Sequence, residues 1–148
     1  MTRIAVKPPR MQPELFVYSF PVRVYFENTD AGGVVYHAEY FKFLERARTE
    51  WLRHLGFDHQ ALARDHRMVF VVTALAIDFA KPARLDDNVA VSVRLESLGK
   101  VRCVFAQEIR RDDEVLVSAR ITVACVTGEA FKPVEIPAAL RKKMEASL

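Results

Sequence analysis

Over one long stretch of this chain the apolar residues recur at helical spacing. Tyr40, Leu44, Ala47, Trp51 and Leu55 form a single stripe, with Phe43 beside it. Glu45, Arg46, Glu50 and Arg53 fall off that stripe, and Arg46 with Glu50 makes an i,i+4 pair. Gly56 is placed to terminate the helix, which therefore runs from about Ala38 to Leu55. A shorter helix is expected from Asp58 to about His66. The stripe is wide and aromatic, so this helix needs a broad apolar surface to lie on.

The rest of the chain supplies one. Leu15 to Phe26 reads as a strand bent near Pro21, and Val69 to Phe79 is apolar and β-branched. Val89, Val91, Val93 and Leu95 alternate with Ala90, Ser92, Arg94 and Glu96. Val101, Cys103, Phe105, Gln107 and Ile109 form a similar row, and Val115 to Val126 closes the series. Ser97 to Lys100 and Arg111 to Glu114 read as connecting turns. Pro137 to Leu148 is expected as a short surface helix. The expected class is α+β, an antiparallel sheet of about five strands wrapped around one long helix. Residues 15–148 form one domain, and residues 1–14, with three of the seven prolines and no clear period, are expected as a flexible lead-in.

Composition narrows the function classes. At 51% hydrophobic and 28% charged, the chain is ordinary for a globular domain, and its net charge of +3 is scattered. Scattered charge suits an anionic small molecule and gives no footprint for nucleic acid. Cys103 and Cys125 sit in apolar runs with no metal-type spacing, and are expected as buried thiols. His54, His59 and His66 form no metal cluster and are expected at the surface. The residues before Glu14 lack the apolar core of a signal peptide. No segment reaches the roughly 18 apolar residues of a membrane span. A cytoplasmic protein without membrane insertion is expected.

The candidate chemistry lies where strand gives way to helix, at Thr29-Asp30-Ala31-Gly32-Gly33. Asp30 follows a strand in a turn that can aim a carboxylate into a cleft. Gly32 and Gly33 let a ligand approach their backbone. The helix that follows offers unpaired N–H groups near His37 and Ala38, with the positive end of its dipole. A nucleophile or base beside such donors is what acyl transfer requires. An Asp in this position also suits a turn or a helix cap. Glu45 suits a structural partner of Arg48 or Arg46.

The run from Val22 through Thr29-Asp30-Ala31-Gly32-Gly33-Val34-Val35-Tyr36-His37, continuing to Tyr40, Glu45, Arg46 and Arg48, resembles the signature of the Tol-Pal-associated acyl-CoA thioesterases. These belong to the 4-hydroxybenzoyl-CoA thioesterase group of hot-dog proteins. Lys81-Pro82-Ala83-Arg84-Leu85-Asp86-Asp87 is similar to that family's second block, and the likeness spans roughly Phe20 to Val126.

The resemblance implies a hot-dog fold and hydrolysis of acyl-CoA thioesters. Asp30 would attack the carbonyl or activate water, the backbone N–H at His37 would polarise the thioester oxygen, and Gly33 would border the substrate. The His37 side chain matches the family's histidine. One departure is Phe26, where relatives often carry tyrosine, so a hydroxyl proposed to assist the aspartate is missing. Coenzyme A is part of the substrate, and neither a cofactor nor a metal is implied. Lys81, Arg84, Lys100 and Arg102 are the candidate cations for its phosphates. Exposed sheet edges and the resemblance together imply a homodimer, paired into a homotetramer. The rival readings are an acyl-carrier-protein or aryl-CoA thioesterase on the same fold, or a non-catalytic acyl-binding or scaffold protein of lipid synthesis or the cell envelope.

Overall fold

The structure is a computed structural model and describes residues 18–148. The expected lead-in at 1–14, and the start of the first strand at 15–17, lie outside the described residues. Five strands make one antiparallel sheet: β1 (Tyr18–Arg23), β2 (Met68–Phe79), β3 (Asn88–Leu98), β4 (Arg102–Arg111) and β5 (Glu114–Thr127). Their spatial order is β1-β3-β4-β5-β2, so β1 and β2 are the two edges. Three helices complete the fold: α1 (His37–His54), α2 (His59–His66) and α3 (Ala138–Glu145). This is the wrapped-helix α+β arrangement expected from the sequence.

The helix lies where its stripe demands. Tyr40, Phe43, Leu44, Ala47, Trp51 and Leu52 are buried, against Val89, Val91, Val93 and Leu95 of β3 and Phe105 and Ile109 of β4 in one core. Trp51 meets Phe105 edge to face at 5.1 Å, a geometry worth about 1 kcal/mol beyond burial. Gly56, at φ +92°, takes the left-handed conformation just past the end of α1. Register shifts in β2, between Val72 and Ala74, and in β3, between Leu95 and Ser97, mark bulges that let the sheet curve.

Several local readings change. The β4–β5 connection is only Asp112-Asp113, because Arg111 and Glu114 already pair with each other across the ladder. Glu50 pairs with Arg53, three residues on, rather than with the expected Arg46 four residues back. Arg46 instead lies over the Phe43 ring at 5.9 Å. Most consequentially, α3 is a surface helix with one face buried in the core. Leu140 and Met144 are fully buried, and their i,i+4 spacing closes one end of the core. Arg141 Nη1 donates to the Gly99 carbonyl at 2.7 Å and pins α3 to the β3–β4 turn. Cys103 and Cys125 are buried free thiols, as expected. No helix among the described residues is long and apolar enough to cross a membrane.

Candidate active site

Local geometry turns the Asp30 segment into a rigid loop. The chain leaves β1 at Arg23 and makes one 3-10 turn at Phe26–Asn28. It then doubles back so that Thr29 and Val35 pair as an isolated bridge. Asp30 N–H donates to the Val34 carbonyl at 2.9 Å, and Gly33 N–H to the Asp30 carbonyl at 3.1 Å. One carboxylate oxygen of Asp30, Oδ1, accepts from Gly32 N–H at 2.8 Å and from Val34 N–H at 3.4 Å. The other oxygen has no partner among the described residues, and the side chain is exposed. Oδ1 therefore holds the turn, as the turn reading of Asp30 expects, and Oδ2 is left free.

The two glycines serve different ends. Gly33 has φ +78° with open space where a Cβ would stand, so backbone conformation alone requires glycine there. A Cβ on Gly32 would sit 3.2 Å from Asp30 Oδ1 and press on the carboxylate.

Helix α1 starts immediately beyond. Tyr36, its N-cap residue, supplies no side-chain acceptor. Tyr36 N–H donates to the Asn28 carbonyl and Glu39 N–H to the Tyr36 carbonyl, each at 2.9 Å. The N–H groups of His37 and Ala38 find no protein acceptor among the described residues, so they remain available at the positive end of the dipole. The His37 ring is exposed and packs at a tilt on Tyr36, with ring centroids 4.4 Å apart.

The Lys81–Asp87 segment buttresses this loop. Val35 N–H donates to the Ala83 carbonyl at 2.9 Å, and Val34 bridges to Arg84. Ala83 N–H in turn donates to the buried Tyr40 hydroxyl at 2.9 Å, tying the segment to α1. Asp87 accepts from Arg84 N–H at 2.8 Å and from Arg111 Nη1 at 2.7 Å. Burial pushes the Asp87 carboxyl upward, but the Arg111 guanidinium and the Arg84 N–H outweigh it and hold its pKa below the usual value.

Of the expected phosphate ligands, Arg84 lies beside the glycine loop. Lys81 is at the same end but is paired with Glu114 at 2.7 Å. Lys100 and Arg102 flank the turn into β4, next to Ala124 of β5, at the opposite end of the sheet from Asp30. A single chain does not bring the four cations together.

Tyr25 and Phe26 are both exposed, at 60% and 80%. β1 ends at Arg23, so the expected strand to Phe26 stops three residues early and both rings belong to the loop beyond it. Asn28 and Tyr40 are positioning residues that sequence reasoning missed. Asn28 Oδ1 accepts from Tyr25 N–H at 2.7 Å, and its Nδ2 reaches Glu39 at 3.4 Å. An Asn two residues before the aspartate was the available turn signal. Glu45 pairs with neither Arg46 nor Arg48; it accepts from the Thr49 hydroxyl at 3.1 Å.

Five antiparallel strands wrapped on one long helix make the hot-dog architecture, and the Asp30 carboxylate, the glycine turn and the uncapped start of α1 lie together at one end of it. The thioesterase superfamily profile matches residues 32–118, and the chain belongs to that family. Among curated proteins, it is 48% identical over 120 residues to the acyl-CoA thioesterase YbgC of Haemophilus influenzae, covering 81% of this chain and 88% of that one. It is 44% identical over 122 residues to the acyl-CoA thioester hydrolase YbgC of Escherichia coli O6:H1, covering 82% and 90%. Among solved structures, a probable thioesterase from Bartonella henselae superposes with TM-score 0.79 at 36% identity, covering 82% of this chain and 99% of that one.

Proposed function

We propose that the protein hydrolyses acyl-CoA thioesters at the Asp30 loop. The observation that carries this reading is the free oxygen of Asp30 on a loop that runs directly into the uncommitted His37 and Ala38 N–H groups. Water adds across the C–S bond to give the free acid and the coenzyme A thiol. Asp30 either attacks the carbonyl carbon itself or takes the proton from the attacking water. The N–H groups of His37 and Ala38 receive the oxygen as it gains charge, and Gly33 lets the thioester reach them. The exposed His37 ring borders the same opening. The high identity of the curated thioesterases supports the substrate class, and acyl carrier protein is the alternative carrier.

Assembly belongs to the same reading. β2 is a twelve-residue edge strand with Val72 and Phe79 exposed, which favours a homodimer through that edge and a tetramer built from two such dimers. A two-fold axis across β2 makes the pairing antiparallel. It would carry the partner's Lys100 and the partner's Arg102 toward this subunit's Asp30 and Arg84. The coenzyme A phosphates then lie at the subunit boundary.

The test is a hydrolysis panel of acyl-CoAs from acetyl to palmitoyl, with a benzoyl member, on wild type and Asp30→Asn. Asn keeps an oxygen for the Gly32 and Val34 N–H groups but can neither attack as a carboxylate nor take up a proton. The variant is expected to fold and assemble normally while kcat drops by about 10²–10⁴-fold. Near-wild-type turnover would leave Asp30 as a turn residue and return the scaffold reading to the front.

A further inference from the structure

Edge strand β2 has an inner face that is only partly covered. α1 rests on β1 and β3, and α2 rests on β2. Register with β5 puts Phe70, Val72, Leu75 and Phe79 on that inner face, and Val72 and Phe79 are 52% and 46% exposed. They form a row along β2. At one end Phe79 packs on Tyr40 at 5.6 Å, next to the loop that carries Asp30. At the other end Phe70 and Val72 line a cavity of about 140 Å³, walled also by Trp51 and Phe105 and edged by Arg48, Thr49 and His59. That volume approaches the ~150 Å³ that accommodates a benzene ring in an apolar core.

The polar edge has hydrogen-bonding capacity to spare. Arg48 Nη1 donates to Gln107 Oε1 at 3.0 Å. The Gln107 amide is itself consumed by the carbonyls of Leu44 and Ser92, both at 3.1 Å. Arg48 makes no ion pair among the described residues, and a guanidinium has five N–H donors. Donors unspent at the border of an apolar cavity are open to an acceptor that enters it. Thr49 Oγ1 donates to Glu45 and lies 3.2 Å from His59 Nε2. The Glu45 carboxylate at the same rim opposes a second negative charge.

We propose that this cavity is the subsite for the far end of the acyl group, and that it selects a chain carrying a hydroxyl near that end. The proposal rests on acyl-CoA hydrolysis at Asp30. A hydroxyl accepts from Arg48 and donates to Thr49 or Glu45 without upsetting the charge balance. Arg48 lies eleven residues beyond His37, about 16 Å along α1 at ~1.5 Å per residue. That is the reach of roughly twelve methylenes at the ~1.3 Å advance a C–C bond allows.

The experiment compares kcat/KM for dodecanoyl-CoA, 12-hydroxydodecanoyl-CoA and the CoA monothioester of dodecanedioic acid, in wild type and Arg48→Met. Wild type is expected to favour the hydroxylated chain by about tenfold, the worth of one hydrogen bond to a charged group. Arg48→Met is expected to lose that ratio, and a ratio taken within one variant is insensitive to how much of it folds. Trp51, the only tryptophan, gives a readout without turnover. Its fluorescence in Asp30→Asn protein should change with 12-hydroxydodecanoyl-CoA and not with hexanoyl-CoA, which is too short to arrive.

A flat ratio in wild type, a ratio retained by Arg48→Met, a preference for the dicarboxylic chain, or a Trp51 response equal for both lengths would each overturn the subsite. If no acyl-CoA is hydrolysed at any length, the acyl-CoA reading itself falls, while Trp51 still reports whether the cavity fills.

Discussion

The two ends of α1 are built in opposite ways. At its N-terminus the groups left free are backbone N–H donors and one carboxylate oxygen, and nearly every contact that fixes them lies within residues 28–40. Only the Lys81–Asp87 segment, tied back by the Tyr40 hydroxyl, reaches in from outside. In its C-terminal half, Arg48, Thr49 and Trp51 meet His59 of α2, Phe70 of β2, Phe105 of β4 and Met144 of α3. One end is a local fold of contiguous sequence, and the other is assembled from five separate elements. A change at the first should therefore strike chemistry, and a change at the second should strike selectivity and stability.

The sharpest way to break that division is Gly33→Ala. The left-handed backbone there, at φ +78°, costs a residue with a Cβ about 1–2 kcal/mol. Displacing the Asp30 carboxylate by even an ångström can cost about 10²-fold in rate. Kinetics with a thermal melt should show kcat falling far more than a modest drop in Tm accounts for. If only Tm falls, the loop does not set the geometry of catalysis.

Tyr40→Phe tests the strut between α1 and Ala83. It leaves a buried N–H without its acceptor, at a cost of about 1–3 kcal/mol. Denaturant titration should register that loss in full, with kcat reduced less than in Gly33→Ala. An unchanged unfolding midpoint would show that the 2.9 Å bond to Tyr40 does not hold the segment in place.

At the other end, burial pulls the His59 pKa down; Glu45 opposes this, and Arg53 and Arg48 reinforce it. The folded pKa then lies below that of the unfolded chain, near the usual ~6.5. The stabilising contribution is present above that value and is lost as pH falls through the lowered one. Melting curves from pH 8 to 5 should show wild type losing ground to His59→Gln only in the acidic half of the range. A gap that widens in the other direction would place a charged imidazole in the cavity wall.

The smallest effect is expected at the thiols. Burial pushes Cys103 up to about 12, with Cys125 adding to it, and pushes Cys125 up to about 11. Neither should react appreciably with an alkylating reagent at pH 8 in the native protein, while both react in denaturant. Labelling of either thiol in native protein, followed by mass spectrometry, would reveal opening of the sheet beneath α1.

What the sequence determined by itself were the features with a period or a fixed offset. The α1 stripe, the alternation in β3 and β4, Gly56 past the helix end, and the carboxylate-glycine-helix order at Asp30 are all set by near neighbours along the chain. Steric and hydrogen-bonding preferences act over a few residues, so such features survive reading in one dimension. The burial of α3 was not legible, because Leu140 and Met144 look like any two apolar residues on a short amphipathic helix until the open end of the core is seen. Nor was the Arg48–Gln107 contact, whose partners are 59 residues apart, or the place of His59 beside Thr49. The cations on either side of the sheet were read as one set, yet chain direction sends Arg84 to one end and Lys100 and Arg102 to the other. Tertiary structure decided those because strand order and helix placement follow from which apolar faces can be buried together, a property of the whole core rather than of any segment.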